Sequence, residues 1–418
     1  MKFKNFSTNI KIRLITSFFT RTISLATTPY FIIYLANHVG KSLTGVILIV
    51  SLIGSFISSI IGGYLADLYN RKHVLLWGQA LQIISLLGLA TTLFIHEKVI
   101  QNIFVTIALY VFFIFQSISS NIYKPAYNAL VMDSTNSSNR EYIYKFNYWM
   151  MNLSMAVGAG IGGFFYKSYL IELTFVAAII ILTISIILQL YLTNHSQVYT
   201  AKSNNIFKGL SNQYAIALKD TKWVIFVLGS ALVFSAEFSL SNYTNVRLSQ
   251  NFEVVNLYNI RIDGIIGFSI LQILNTLLVV FFTFVIQNKI KKFNKLNNLI
   301  VGLSLYILGY TAISYSDQLF ILLVFMVIAS VGELIFSPYW QSEQVALIPV
   351  DKRASYSALS ALSNTVATSL ASLYLILSEY ISASVISLII FSLSAVGVAC
   401  IIMAIKRNVL MQDSSAKM

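Results

Sequence analysis

The chain has 418 residues, 57% hydrophobic and 10% charged, with a mean hydropathy of +0.76. A soluble domain carries about 25% charged residues, so this balance excludes one and requires a polytopic membrane protein. The single Cys400 excludes an intramolecular disulfide framework and a cysteine-based metal site, and His38, His73, His96 and His195 show no ligand spacing. Long apolar runs without alternation indicate helices of about 20 residues, not barrel strands of about ten.

In chain order, the runs predict spans over 12–36, 44–68, 74–95, 100–130, 142–166, 170–193, 222–247, 262–287, 297–315, 319–345, 354–378 and 382–405. The first run is too long for a cleaved signal peptide and lacks a processing site. One long polar connection divides the chain into an N-terminal six-helix bundle (1–194), a cytoplasmic linker (195–221) and a C-terminal six-helix bundle (222–418). Pro125 and Pro338 lie 213 residues apart, as do Arg140 and Arg353, which agrees with two halves related by a parallel repeat. The expected fold is an all-α membrane protein of twelve transmembrane helices in two pseudo-symmetric bundles. Despite the net charge of +13, the bases are not a nucleic-acid footprint: 21 Lys and Arg fall on one side of the spans and five on the other. That bias places both termini in the cytoplasm.

Gly62-Gly63-Tyr64-Leu65-Ala66-Asp67-Leu68-Tyr69-Asn70-Arg71-Lys72 joins the second span to the third. Glycines permit close backbone approach, and Asn70 suits a tight left-handed turn. The positive-inside rule accounts for Arg71 and Lys72 but not for Asp67 or the paired glycines. This stretch resembles the loop G-x-L-a-D-r-x-G-r-[RK] of the major facilitator superfamily, with matches at Gly63, Leu65, Asp67, Arg71 and Lys72. Leu68 and Asn70 depart from it. The resemblance implies a conformational switch, in which Asp67 faces the start of helix 11 and Arg71 pairs with Asp133. Further segments resemble the drug:proton antiporters of the lactococcal type: Leu130 to Asp133, Asn139-Arg140, Asn147-Tyr148-Trp149, Asn152 to Ser154, Gly332-Glu333, Pro338, Ser355-Tyr356 and Arg13-Leu14. Asn147 stands where those antiporters have an aspartate. The run Gly158-Ala159-Gly160-Ile161-Gly162-Gly163 reads as a helix-packing surface. It also resembles part of the antiporter motif G-P-x-x-G-G, with Ala159 in place of proline.

Ionisable groups inside spans are costly and face a cavity or a partner. Arg21, Lys124, Glu237, Glu333 and Glu343 are such groups. Glu237 and Glu333 lie roughly 22 and 21 Å along their spans. A buried carboxylate alternately neutralised by a proton or a cation provides the minimum chemistry of exchange. Tyr148 and Trp149, with Tyr30, Tyr34, Tyr243 and Trp340, are candidates to line a cavity for flat or cationic ligands. No phosphate-cradling loop, nucleophile constellation or metal cluster is present, so an enzyme is not expected. The expected activity is multidrug efflux of lipophilic cations across the cell membrane, coupled to protons and without a cofactor beyond the proton gradient. A narrow-specificity carrier for a peptide, siderophore or lipid-linked substrate is the alternative. The expected partners are a small amphipathic substrate, protons and lipids, with no nucleic acid, and the expected state is a monomer.

Overall fold

Polar residues that can accept backbone hydrogen bonds punctuate the apolar runs, and most helices begin at them. The computed structural model describes residue 6 and residues 8–127, 140–192, 218–257, 260–348 and 353–415. Helix α1 (Thr8–Val39) turns into α2 (Lys41–Leu68) through Gly40, whose φ of 98° is a left-handed conformation that side chains disfavour. Asn70 caps α3 (Arg71–Lys98), accepting from the Lys72 N–H at 2.9 Å. The left-handed turn expected at Asn70 is therefore absent: its φ of −56° and ψ of 119° are those of a capping residue. Asn102 caps α4 (Ile103–Ile122) in the same way.

The fifth and sixth expected spans form one 52-residue helix, α5 (Arg140–Tyr191), broken at Tyr169, where φ is −137° and ψ is 25°. No loop separates them, because a single non-helical residue is enough to redirect the axis. The apolar part, Trp149–Tyr191, has 43 residues. At 1.5 Å per residue that is roughly 65 Å, about twice a hydrocarbon core. Gly158 and Gly162 seat this helix on α1, beside Thr22 to Ala26 and the ring of Tyr30.

Asp220 caps α6 (Thr221–Ser239), which continues through a π-helical turn at Leu240–Thr244 into α7 (Asn245–Asn251). A short antiparallel hairpin follows, β1 (Val255–Leu257) with β2 (Ile260–Ile262), in which Val255 pairs with Ile262. Sequence periodicity gives no hint of it. Asp263 and Asn294 cap α8 (Gly264–Ile290) and α9 (Lys295–Tyr315). Helices α10 (Leu319–Ala346), α11 (Arg353–Leu377) and α12 (Ala383–Ser415) complete the chain.

Among the described residues nine helices are long and apolar enough to cross a membrane. With α5 counted as two arms, and with α1 and α11, whose polar residues dilute their apolar runs, the fold has twelve transmembrane helices. The chain forms two compact units, Met1–Phe31 with Val46–Ser203, and Ile32–Gly45 with Asn204–Met418. Much of the expected linker, residues 195–217, lies outside the described residues. In the first unit, Leu75, Leu86 and Tyr123 pack on Ala177, Ala178, Ile181, Ile184 and Leu188 from the second arm of α5. In the second, α6 packs on α11 and α12, while α10 packs on α8 and α9.

Candidate functional site

The second unit gathers the acids. Glu237 is carried by α6, three residues before the π-helical turn, and Glu333 by α10. The Tyr306 hydroxyl, from α9, donates to Glu237 Oε2. Its ring is fully buried and meets Tyr310 and Phe336 edge to face, with centroids 4.9 and 5.0 Å away. Asn275, from α8, donates through Nδ2 to Glu333 Oε2 at 3.3 Å and to Ser330 Oγ at 3.0 Å. Gly332 and Gly302 bring the backbones of α10 and α9 into contact, which sets Glu333 one residue from Tyr306's helix. The close approach at Gly332 is thus made by a helix. Glu237 and Glu333 lie within electrostatic reach of one another and of both phenols. No cation hydrogen-bonds to either carboxylate among the described residues.

Such an arrangement can bind a proton or a cation but cannot cheaply stay bare. An uncompensated buried charge costs several kcal/mol, and two neighbouring carboxylates repel. Four helices converge on the pair, so a change in its charge acts on α6, α8, α9 and α10 together. Sequence reasoning found the two acids but missed Tyr306, Asn275 and Ser330. Asn275 could have been found as a side-chain amide inside an apolar run, whereas Tyr306 is one tyrosine among 24.

The expected switch residues are placed unevenly. At Gly62 a Cβ would lie 1.6 Å from the Ile122 carbonyl oxygen, so this glycine is the crossing point of α2 and α4. Gly63, the motif's matching glycine, has among the described residues only Pro125 Cβ near it, at 3.8 Å. Lys72 Nζ donates to the carbonyls of Gln189 and Leu192 at 2.7 and 2.9 Å, closing the end of α5. Arg71 starts α3. Asp133 and the side chain of Asp67 lie outside the described residues, and with them the Arg71–Asp133 pairing.

In the first unit Arg21 lines a cavity with Lys124. Asn147 and Trp149 are not among the residues lining it; Trp149 is exposed and packs on Phe146 at 5.9 Å. The side chain of Tyr148 lies outside the described residues. Of the other aromatic candidates, Tyr30 and Tyr243 are fully buried, and Tyr30 donates to the Ala159 carbonyl at 2.8 Å. Trp340 stacks on Phe226 and donates to Ser230 Oγ at 2.9 Å. Glu343 borders a separate 420 Å³ pocket with Lys295, Tyr339 and Lys406.

A family model described as Major Facilitator Superfamily matches residues 14–372. A Na(+), Li(+), K(+)/H(+) antiporter of Planococcus maritimus is 26% identical over 387 residues, covering 88% of each chain. An uncharacterised MFS-type transporter of Bacillus subtilis is 23% identical over 331 residues, covering 78% of this chain and 75% of that one. Among solved structures, a POT family transporter in complex with 5-aminolevulinic acid has a TM-score of 0.75 at 16% identity, covering 97% of this chain and 98% of that one. A nucleoside transporter has a TM-score of 0.72 at 14% identity, covering 95% and 100%. At these identities the structural likeness is one of fold.

Proposed function

The chain belongs to the Major Facilitator Superfamily, and we propose that this multi-pass membrane transporter is a proton-coupled antiporter exporting lipophilic cations by alternating access. The observation that carries this reading is the Glu237–Glu333 pair, held by Tyr306 and Asn275 in the interior of one unit. Protons and organic cations are alternative neutralisers of the same carboxylates, so each displaces the other. A carrier that changes conformation readily only when the pair is neutralised must then exchange one for the other. Asn147 cannot ionise, which leaves the coupling to the second unit.

A second reading, in which the exchanged ion is a monovalent metal cation, is favoured by the similarity to the Planococcus antiporter. It uses the same carboxylates with a smaller neutraliser.

Both readings are tested in proteoliposomes with an acidic lumen containing a pH-sensitive dye. Addition of ethidium is expected to draw protons out in the first case, and addition of Na⁺ or K⁺ in the second. Glu333→Gln is expected to abolish proton movement while leaving downhill ethidium exchange. Unchanged proton movement in Glu333→Gln would remove Glu333 from the coupling, and absence of proton movement with every cation would overturn antiport.

A further inference from the structure

The first unit holds a cavity of 260 Å³ whose charged lining residues are Arg21, from α1, and Lys124, which follows α4. Among the described residues no carboxylate lines it. Arg21 Nη1 is buried and has no hydrogen-bond partner among the described residues. Two glutamines from α3 complete the polar wall. Gln79 Oε1 accepts from Ser185 Oγ at 2.9 Å, and Gln82 Oε1 accepts from the Tyr123 hydroxyl at 2.8 Å. With both oxygens engaged, their amide N–H groups are what the glutamines have left to offer. Among the described residues the cavity thus collects two positive charges and further donors with no acidic counterweight.

That lining is the opposite of the acidic pair in the second unit. Two like charges inside a span, one with an orphaned donor, are costly unless an anion neutralises them. Guanidinium is suited to the two oxygens of a carboxylate or phosphate, and ammonium adds a compact charge beside it. At about 30 Å³ per water, the volume exceeds that of a bare oxyanion and accommodates a small organic group attached to one. We propose that this cavity is a binding subsite for the oxyanion of an organic molecule, a carboxylate or a phosphate. The inference goes beyond the exchange reading, since it needs neither proton coupling nor a direction of transport.

The test titrates the full-length protein in nanodiscs with dansylglycine and with dansylglycinamide, which has nearly the same shape without the charge. The carboxylate is expected to bind roughly ten- to a hundredfold more tightly, the range of a hydrogen bond to a charged group. Arg21→Gln and Lys124→Gln are each expected to remove most of that preference, and Lys124→Arg to keep it, which separates lost charge from lost folding. Equal binding of the two probes, or a preference that survives both glutamine variants, would overturn the proposal. Competition by inorganic phosphate alone would support a free-anion site. Uptake of dansylglycine into proteoliposomes would support the anionic end of a transported substrate. The acidic-lumen proton assay reads the exchange chemistry separately, so failure of one proposal is distinguishable from failure of the other.

Discussion

Tyr306 hangs a single hydroxyl over Glu237 from a ring that packing holds still. Removing the hydroxyl alone leaves the ring contacts with Tyr310 and Phe336 in place. A hydrogen bond to a charged group contributes roughly 1.5–3 kcal/mol, so Tyr306→Phe is expected to slow exchange at least about tenfold and to lower the melting temperature by no more than several degrees, the fold staying intact. Flux through reconstituted protein and a thermal melt of the same sample check both halves. Unaltered flux would make the hydroxyl a packing detail. Glu237, Glu333, Arg21 and Lys124 were legible in the sequence because an ionisable group in an apolar run needs a reason. Their partners were not. Whether a tyrosine faces lipid, a neighbouring helix or a carboxylate depends on how its helix is rotated against others, as fully buried Tyr30 and Tyr243 illustrate.

At the level of helices, the crossing of α2 and α4 makes adjacent glycines unequal. Alanine at Gly62 would drive a Cβ into the Ile122 carbonyl, a backbone atom that cannot swing away, whereas at Gly63 the nearest neighbour among the described residues is at ordinary contact distance. Overpacking of this kind costs about 2 kcal/mol. Gly62→Ala is therefore expected to lower the melting temperature in detergent by several degrees and Gly63→Ala to leave it within error. Equal effects would show that α2 and α4 separate easily. The apolar runs themselves, and the polar residues that open α3, α4 and α6, could be read from composition. The break at Tyr169, the π-helical turn at Leu240–Thr244 and the hairpin at Val255–Ile262 could not, because each is a local departure from a pattern set by packing against other helices.

For the whole molecule, twelve spans were visible in hydropathy, but the allegiance of the α1–α2 corner was not. The chain leaves the first unit after Phe31, and residues 32–45 group with the second before it returns at Val46. There Glu379, in the turn after α11, accepts from the Ser42 N–H at 2.6 Å, while Gln250 donates to Asn37 Oδ1 at 2.7 Å. The Ser42 hydroxyl and backbone N–H, aided by the charge of Lys41, hold the Glu379 carboxyl below the usual carboxylate range. A carboxylate with a depressed pKa supports its contacts fully above its ordinary titration range, and that support is lost as pH falls through the lowered value. The corner should therefore stay attached at neutral pH and loosen only in strong acid. Because Glu379 is exposed, salt should weaken the attachment as well. Spin labels at Leu43 and Ser382 are expected to report one narrow distance at pH 7, a broader distribution only in acid below the ordinary carboxylate range, and the broad distribution at pH 7 in Glu379→Gln. A distribution in Glu379→Gln as narrow as in the parent at pH 7 would mean that apolar contacts, such as Gly45 against Ile376, hold the corner and that the carboxylate is incidental.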